Sequence, residues 1–168
     1  IEPPLKGEIT RNLLKNDPDY SVDGVGAYHL TLGRNKKSLT LDLKSDPGKN
    51  IFYQLVKKAD VVIDNFSSGV TKRLKIDHET LKTHNEKIIS CSISGLGENA
   101  KSNRPANDNV IQGVSGLMSL TGLNPENPVK SGVPIRDLST WLFAIIGILT
   151  ALRKKDATGI GEKIDISM

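Results

Sequence analysis

The stretch Gly132-Val133-Pro134-Ile135-Arg136-Asp137-Leu138-Ser139-Thr140 runs straight into an apolar segment, and that junction constrains the fold most. From Leu138 to Leu152 the residues Leu138, Trp141, Leu142, Ile145, Ile146, Leu149 and Leu152 recur at helical spacing. A pattern of that length predicts a buried helix whose large side chains face a core. Asp137 stands just before it, so the spacing predicts Asp137 as the N-cap, accepting from the first free backbone N–H groups. Those donors and the helix dipole would favour the ionised carboxylate. A carboxylate held this way can act as a nucleophile. Capping alone is what Asp does at such a place by default. Position leaves both readings open.

The rest of the chain alternates strand and helix patterns. Ser38–Leu43 sets Leu39, Leu41 and Leu43 against Thr40 and Asp42, the alternation of a half-buried strand. Asp46-Pro47 opens a helix in cap-then-proline order, with Ile51, Phe52, Leu55 and Val56 inward. Val61-Val62-Ile63 is a short, wholly apolar strand of the doubly covered type. Short helices are expected near 68–74 and 78–84, a strand at Ile88–Ile93, and a polar loop at 102–105. One helix is expected from about Asp108 through Leu120, then an Asn- and Pro-containing loop, then the helix after Asp137 and a strand at Lys163–Ser167. This order predicts an α/β fold, Rossmann-like, with a largely parallel sheet and helices on both faces. At 168 residues the expectation is one domain spanning 1–168.

Composition narrows the partners. The net charge is +4 with Lys and Arg scattered, and aromatics make up 4% of the chain. Nucleic-acid binding wants a basic stripe interleaved with aromatics, so no nucleic acid is expected. A phosphate-bearing small molecule suits the pattern better; the densest basic cluster is Arg34, Lys36, Lys37 and Lys44. The lone Cys91 excludes an internal disulfide framework and fits a reducing, cytoplasmic setting. It reads as a buried small apolar residue. No membrane span is expected, because the apolar helix ends at Arg153-Lys154-Lys155. His/Cys/carboxylate clusters at ligand spacing are lacking in the sequence, so no metal is expected.

Six blocks, in order, resemble the family III CoA-transferases. They are Ile1-Glu2-Pro3-Pro4 with Gly7-Glu8 and Thr10-Arg11; Arg34 through Lys44; Ala59-Asp60-Val61-Val62-Ile63-Asp64-Asn65-Phe66 with Gly69 and Arg73; Ser92 through Gly97 with Ser115-Gly116-Leu117-Met118; Asp137 with its helix; and Thr158 through Ser167. The chain resembles a fragment of the N-terminal half of such an enzyme, part of its CoA-binding large domain. The resemblance implies that Leu41, Asp42, Leu43, Lys44, Asn65, Phe66, Ser67, Pro105, Ala106, Asn107 and Asp108 line the CoA site. It implies that Arg73 meets the nucleotide phosphates, which a guanidinium can bind with two parallel hydrogen bonds. Phe66 could equally be a core residue closing its turn.

The resemblance also implies the reaction: CoA passes from an acyl-CoA donor to a carboxylic acid acceptor through an aspartyl-CoA thioester on Asp137. The implied assembly is an interlocked homodimer. Trp141 stands near Asp137 where a small residue is usual and would narrow an acyl pocket. The α-methylacyl-CoA racemase branch is the competing enzyme; its acid–base His precedes an Asp where this chain has Asn107-Asp108, and an amide cannot exchange a proton as imidazole can. His29, His78 and His84 lie in other segments and read as surface residues. The reading from another class is a non-catalytic CoA-binding module in which Asp137 only caps its helix.

Overall fold

Parallel strands with apolar, small side chains organise the larger part of the molecule. The structure is a computed structural model and describes residues 1–98, 106–124 and 126–168. The chain divides into two compact units, Ile1–Gln54 and Leu55–Met168.

The first unit begins with a 3-10 turn at Ile9–Asn12, then a two-stranded antiparallel ribbon of β1 (Ser21–Val22) and β2 (Val25–Gly26), and α1 (Ala27–Gly33). Glu2 ties it together. Its carboxylate takes both Arg11 Nε and a terminal Arg11 nitrogen at 2.6 Å, Ser38 Oγ at 2.6 Å and the Glu8 amide at 2.9 Å. The expected strand Ser38–Leu43 shrinks to one parallel bridge, Glu2 with Thr40. Its two ladder-like backbone bonds are with Glu2: the Glu2 amide donates to Leu39 O and the Leu41 amide to Glu2 O, while Asp42 O already accepts the Ser45 amide of the following turn. Helix α2 (Asp46–Val56) starts at Asp46 itself, and the Ser45 hydroxyl just before it takes the Gly48 amide at 3.2 Å.

The second unit holds β3 (Val61–Asp64), α3 (Val70–Leu74), α4 (His78–His84), β4 (Ile89–Ser94), α5 (Asp108–Val114), α6 (Leu117–Thr121), α7 (Ile135–Thr158) and β5 (Lys163–Ser167). The sheet order is β3-β4-β5 and both pairings are parallel, with Ile63 opposite Cys91 and Cys91 opposite Ile164. The central strand β4 is covered almost throughout, so it reads as a buried run rather than an alternation. Cys91 is fully buried there, as expected of a small apolar residue. The helix expected over 108–120 is broken into α5 and α6 at Ser115-Gly116, where Gly116 has φ 77.

Helix α7 turns the opposite face inward from the one its large residues suggest. Thr140, Ala144 and Ala151 are its buried residues, and Ala144 packs with Cys91 and Ile93, joined by Ile148, Ile164 and Ile166. A Cβ on Gly147 would stand 3.3 Å from Ile164 Cγ2, so small residues set how closely helix and sheet approach. Leu138, Trp141, Leu142, Ile145, Ile146 and Leu149 are each about half exposed or more. Helix α7 is also long and apolar enough, by length and composition, to cross a bilayer, contrary to the expectation from its basic end. A helix apolar on both faces is a buried one, and only its narrow face is covered within this chain.

Candidate functional site

The first turn of α7 carries the site. Pro134 occupies the N-cap position and offers no side-chain acceptor, so Asp137 is the third helical residue and not the cap. The amides that the sequence pattern assigned to Asp137 go elsewhere. Asp108, at the start of α5, accepts the Arg136 amide at 2.8 Å and the Asp137 amide at 3.3 Å, both on Oδ1. A local window cannot see this, because the capping side chain comes from another element.

Asp108 is itself held. It is 9% exposed, and its Oδ2 takes the side-chain amide of Gln112 at 2.5 Å. Gln112 is fully buried, and its Oε1 accepts from the Ser131 amide at 2.8 Å. Asn107 caps α5, taking the Val110 amide at 3.1 Å. Arg136 donates to Ser115 Oγ at 2.6 Å, while its Nε is buried with no partner among the described residues. Gln112 and Arg136 escaped the sequence reading. The spacing of Asp108 and Gln112, four apart on one helix face, was the available signal.

Asp137 differs from its neighbour. Among the described residues its partly buried carboxylate accepts no hydrogen bond. Burial raises its pKa above the ordinary carboxylate value, and the charge of Asp108 raises it further. This reverses the expectation that amides and dipole would favour ionisation: the amides serve Asp108, and what reaches Asp137 is desolvation and a like charge. A carboxylate with free lone pairs and poor solvation is a stronger nucleophile than a capped one.

A second cluster lies outside the carboxyl ends of the parallel strands, where ligands of such sheets sit. A shallow crevice there is lined by Asp64, Phe66, Ser67, Ser92, Ser94, Glu98 and Asp165 among others. Its acids are engaged: Asp64 with Ser92 Oγ at 2.7 Å, Asp165 with the Glu98 amide at 3.1 Å, and Glu98 with Lys163 and Lys72. The Asn65 side chain donates to Ile93 O at 2.9 Å, which pins the turn after β3 to β4. Phe66, at 39% exposure, is not a core residue. Arg73 is exposed on α3.

The structure therefore gathers Asn107, Asp108 and Asp137 at one helix mouth, and Phe66 and Ser67 at the crevice, with the Asn65 side chain holding the adjoining turn to β4. Ala106 is half-buried beside Asn107. Leu41, Asp42, Leu43 and Lys44 belong to the first unit; Leu41 is buried and Asp42 accepts the Lys44 amide at 3.0 Å. Pro105 lies outside the described residues. All three histidines are half-buried: His29 Nδ1 is 3.0 Å from Thr10 Oγ1, and His78 Nδ1 is 2.8 Å from Ser90 Oγ, with burial lowering the His78 pKa. Among the described residues no His/Cys/Asp/Glu group could hold a metal ion.

The sequence model of CoA-transferase family III matches residues 1–168. A succinyl-CoA:mesaconate CoA-transferase of Haloarcula hispanica is 34% identical over 166 residues, covering 94% of this chain and 42% of that protein. A formyl-CoA:oxalate CoA-transferase of Streptomyces coelicolor is 36% identical over 162 residues, covering 96% of this chain and 38% of that protein. The crystal structure of a CaiB/BaiF family protein from Brucella suis superposes with a TM-score of 0.88 at 37% identity, over 99% of this chain and 44% of that one. The chain thus spans well under half the length of these relatives.

Proposed function

The chain belongs to CoA-transferase family III, and on that premise we propose that the whole protein moves CoA from an acyl-CoA to a carboxylic acid, with Asp137 as nucleophile. The observation that carries the proposal is the Asp137 carboxylate: in the first turn of α7, partly buried, without a hydrogen-bond donor among the described residues and raised in pKa. A pure cap would have its oxygens on backbone amides.

An Asp137 oxygen adds to the thioester carbonyl and the carbon–sulfur bond breaks, giving a mixed anhydride and CoA thiolate. The thiolate adds to the Asp137 acyl carbon, releasing the donor as its carboxylate and leaving an aspartyl-CoA thioester. The acceptor carboxylate displaces the thiolate from Asp137, forming a second anhydride. Thiolate attack on the acceptor's acyl carbon completes the exchange and frees Asp137. No water enters, so the thioester's energy is kept, and a hard exchange becomes four easier steps. Each addition needs oxyanion stabilisation.

In the second unit we assign Asn65, Phe66, Ser67 and Arg73 to CoA recognition, with Arg73 on phosphate. In the first, Leu41 to Lys44 keep the CoA role that membership of the family implies. Small acids such as formate, oxalate, succinate and mesaconate are the substrates to test, since the relatives are named for them. The outward apolar stripe of α7 supports a homodimer, and the lone buried Cys91 supports a cytoplasmic setting. Asn107, an amide serving as the α5 cap, speaks against proton exchange of the racemase kind.

The test uses the full-length protein. Incubation with acyl-CoA and quenching with hydroxylamine converts Asp137 to a hydroxamate, read by peptide mass, because anhydrides and thioesters react and free carboxylates do not. Asp137→Asn folds, binds CoA and transfers nothing. Full transfer by the Asn variant, shown free of deamidation, refutes the proposal and leaves the binding-module reading.

A further inference from the structure

We infer that Asp108 is a positioning residue of the transfer reaction, a carboxylate from α5 that takes the N-terminal amides of α7 and so leaves the Asp137 carboxylate unengaged and fixed in place. The inference rests on Asp137 being the nucleophile. An α-helix leaves its first four N–H groups without partners inside the helix, and a side chain at the N-cap normally takes one or two. Pro134 cannot do so. Without Asp108, the acceptor nearest in sequence would be the Asp137 side chain itself, whose lone pairs the chemistry needs.

The orientation of Asp108 is determined by hydrogen-bond polarity. The Ser131 amide can only donate, so it fixes Gln112 Oε1 as acceptor and turns Nε2 toward Asp108. Asp108 Oδ2 must then accept, while Oδ1 accepts two amides of α7. Both oxygens are acceptors, which suits a carboxylate and no neutral side chain. Gln112 is 0% exposed and Asp108 9%, so water cannot substitute freely for either partner. The relay runs Ser131, Gln112, Asp108, Arg136 and Asp137 amides. Among the described residues Asp108 is also the one charged group that shifts Asp137, and it opposes ionisation; Arg136, in the same turn, is directed at Ser115. Asp108 thus holds the nucleophile's backbone and raises its basicity together.

The experiment compares four full-length proteins: wild type, Asp108→Asn, Asp108→Asn with Gln112→Glu, and Asp137→Asn. In Asp108→Asn the new amide nitrogen faces the Gln112 amide nitrogen, and the relay breaks. The expected result is a fall in kcat of at least tenfold, with KM for acyl-CoA within about threefold, since misplacing a reacting group by about 1 Å can cost about a hundredfold. The acid limb of the kcat–pH profile moves to lower pH, because the like charge beside Asp137 is gone. Gln112→Glu restores the bond between positions 108 and 112 with donor and acceptor exchanged while the Ser131, Arg136 and Asp137 amides donate as before, and kcat recovers to within about threefold of wild type, an outcome that generic destabilisation does not give. A readout without substitution stands beside these: in wild type the Arg136 and Asp137 amides exchange slowly with deuterium although they open a helix. Wild-type kcat and an unmoved acid limb in folded Asp108→Asn overturn the inference, as do unprotected exchange at those two amides or a double variant that folds without recovering. Full activity of Asp137→Asn instead overturns the nucleophile reading, whatever the exchange data show.

Discussion

Two carboxylates share the mouth of α7, and their removal should have opposite consequences for stability. Asp108→Ala deletes the cap of α7, which costs about 0.5–2 kcal/mol. It also leaves the fully buried Gln112 side-chain amide without its acceptor, which adds about 1–3 kcal/mol. The expected loss is about 1.5–5 kcal/mol. Asp137→Ala removes no hydrogen bond among the described residues, so the capping loss does not apply. What it removes is a carboxylate that burial and Asp108 both disfavour in its charged form. The sign with pH follows. Because its folded pKa lies above the unfolded one, Asp137 contributes most to stability below the unfolded value, and loses that contribution as pH rises through the folded pKa. The stability of Asp137→Ala relative to wild type should therefore rise from about pH 4 upward and level off once Asp137 is ionised. The assay is urea unfolding of the full-length protein from pH 4 to 8, with the m-value checked for constancy. A loss of about 0.5–2 kcal/mol in Asp137→Ala at pH 7, or a difference that falls as pH rises, would refute the assignment of the cap to Asp108.

Arg73→Ala should weaken CoA binding by about 1.5–3 kcal/mol, one to two orders of magnitude in Kd, through loss of a charge-assisted phosphate contact; calorimetric titration with unchanged affinity removes Arg73 from the site. Gly161→Ala should lower Tm markedly, because its Cβ would stand 2.0 Å from Ile88 O, a backbone atom beside the β4–β5 pairing; overpacking of this kind costs about 1–3 kcal/mol, and a thermal scan reads it. Glu2→Gln should destabilise the protein most at neutral pH and by a smaller amount at pH 3. The bonds from Arg11 and then Ser38 hold the Glu2 carboxyl well below the usual carboxylate range, so its contribution is present above the unfolded value, about 4.3, and fades as pH falls toward the folded pKa. Unfolding curves at pH 7 and pH 3 give the comparison.

How far the sequence could be read depends on the range of the interaction concerned. The strands β3, β4 and β5 and the helix after Asp137 follow from residue type and period within a dozen residues, and they are present. The inward face of α7 does not follow, because period alone ranks Leu138, Trp141 and Ile145 as core, whereas close approach to a sheet selects Ala144, Gly147 and Ala151. The break between α5 and α6 was signalled by Gly116, which an otherwise helical pattern concealed. Ser38–Leu43 alternates like a strand, but a strand needs a continuous partner, and Glu2 supplies a single bridge. The family-like blocks pointed to Asp137 and the turn at Asn65 as candidates; they did not single out Gln112, whose side-chain orientation follows from a hydrogen-bond polarity visible only when Ser131 is beside it.

The mistaken cap has a mechanistic lesson. Sequence places Asp137 near the helix mouth, and a helix mouth normally makes an acid weaker as a nucleophile, since amides that stabilise a carboxylate also occupy its lone pairs. A protein that needs the carboxylate reactive must give those amides another acceptor. Pro134 removes the local one, and Asp108 supplies a distant one anchored on a buried glutamine. The like charge thereby brought close would be a fault in a purely structural helix end, where a neutral Asn or Ser would cap as well. Under the proposed reaction, in which Asp137 attacks a thioester, is acylated and is restored, a raised pKa is useful: the repulsion from Asp108 that opposes the free carboxylate would vanish on acylation, so the proposed covalent intermediate would be the state this helix mouth relieves.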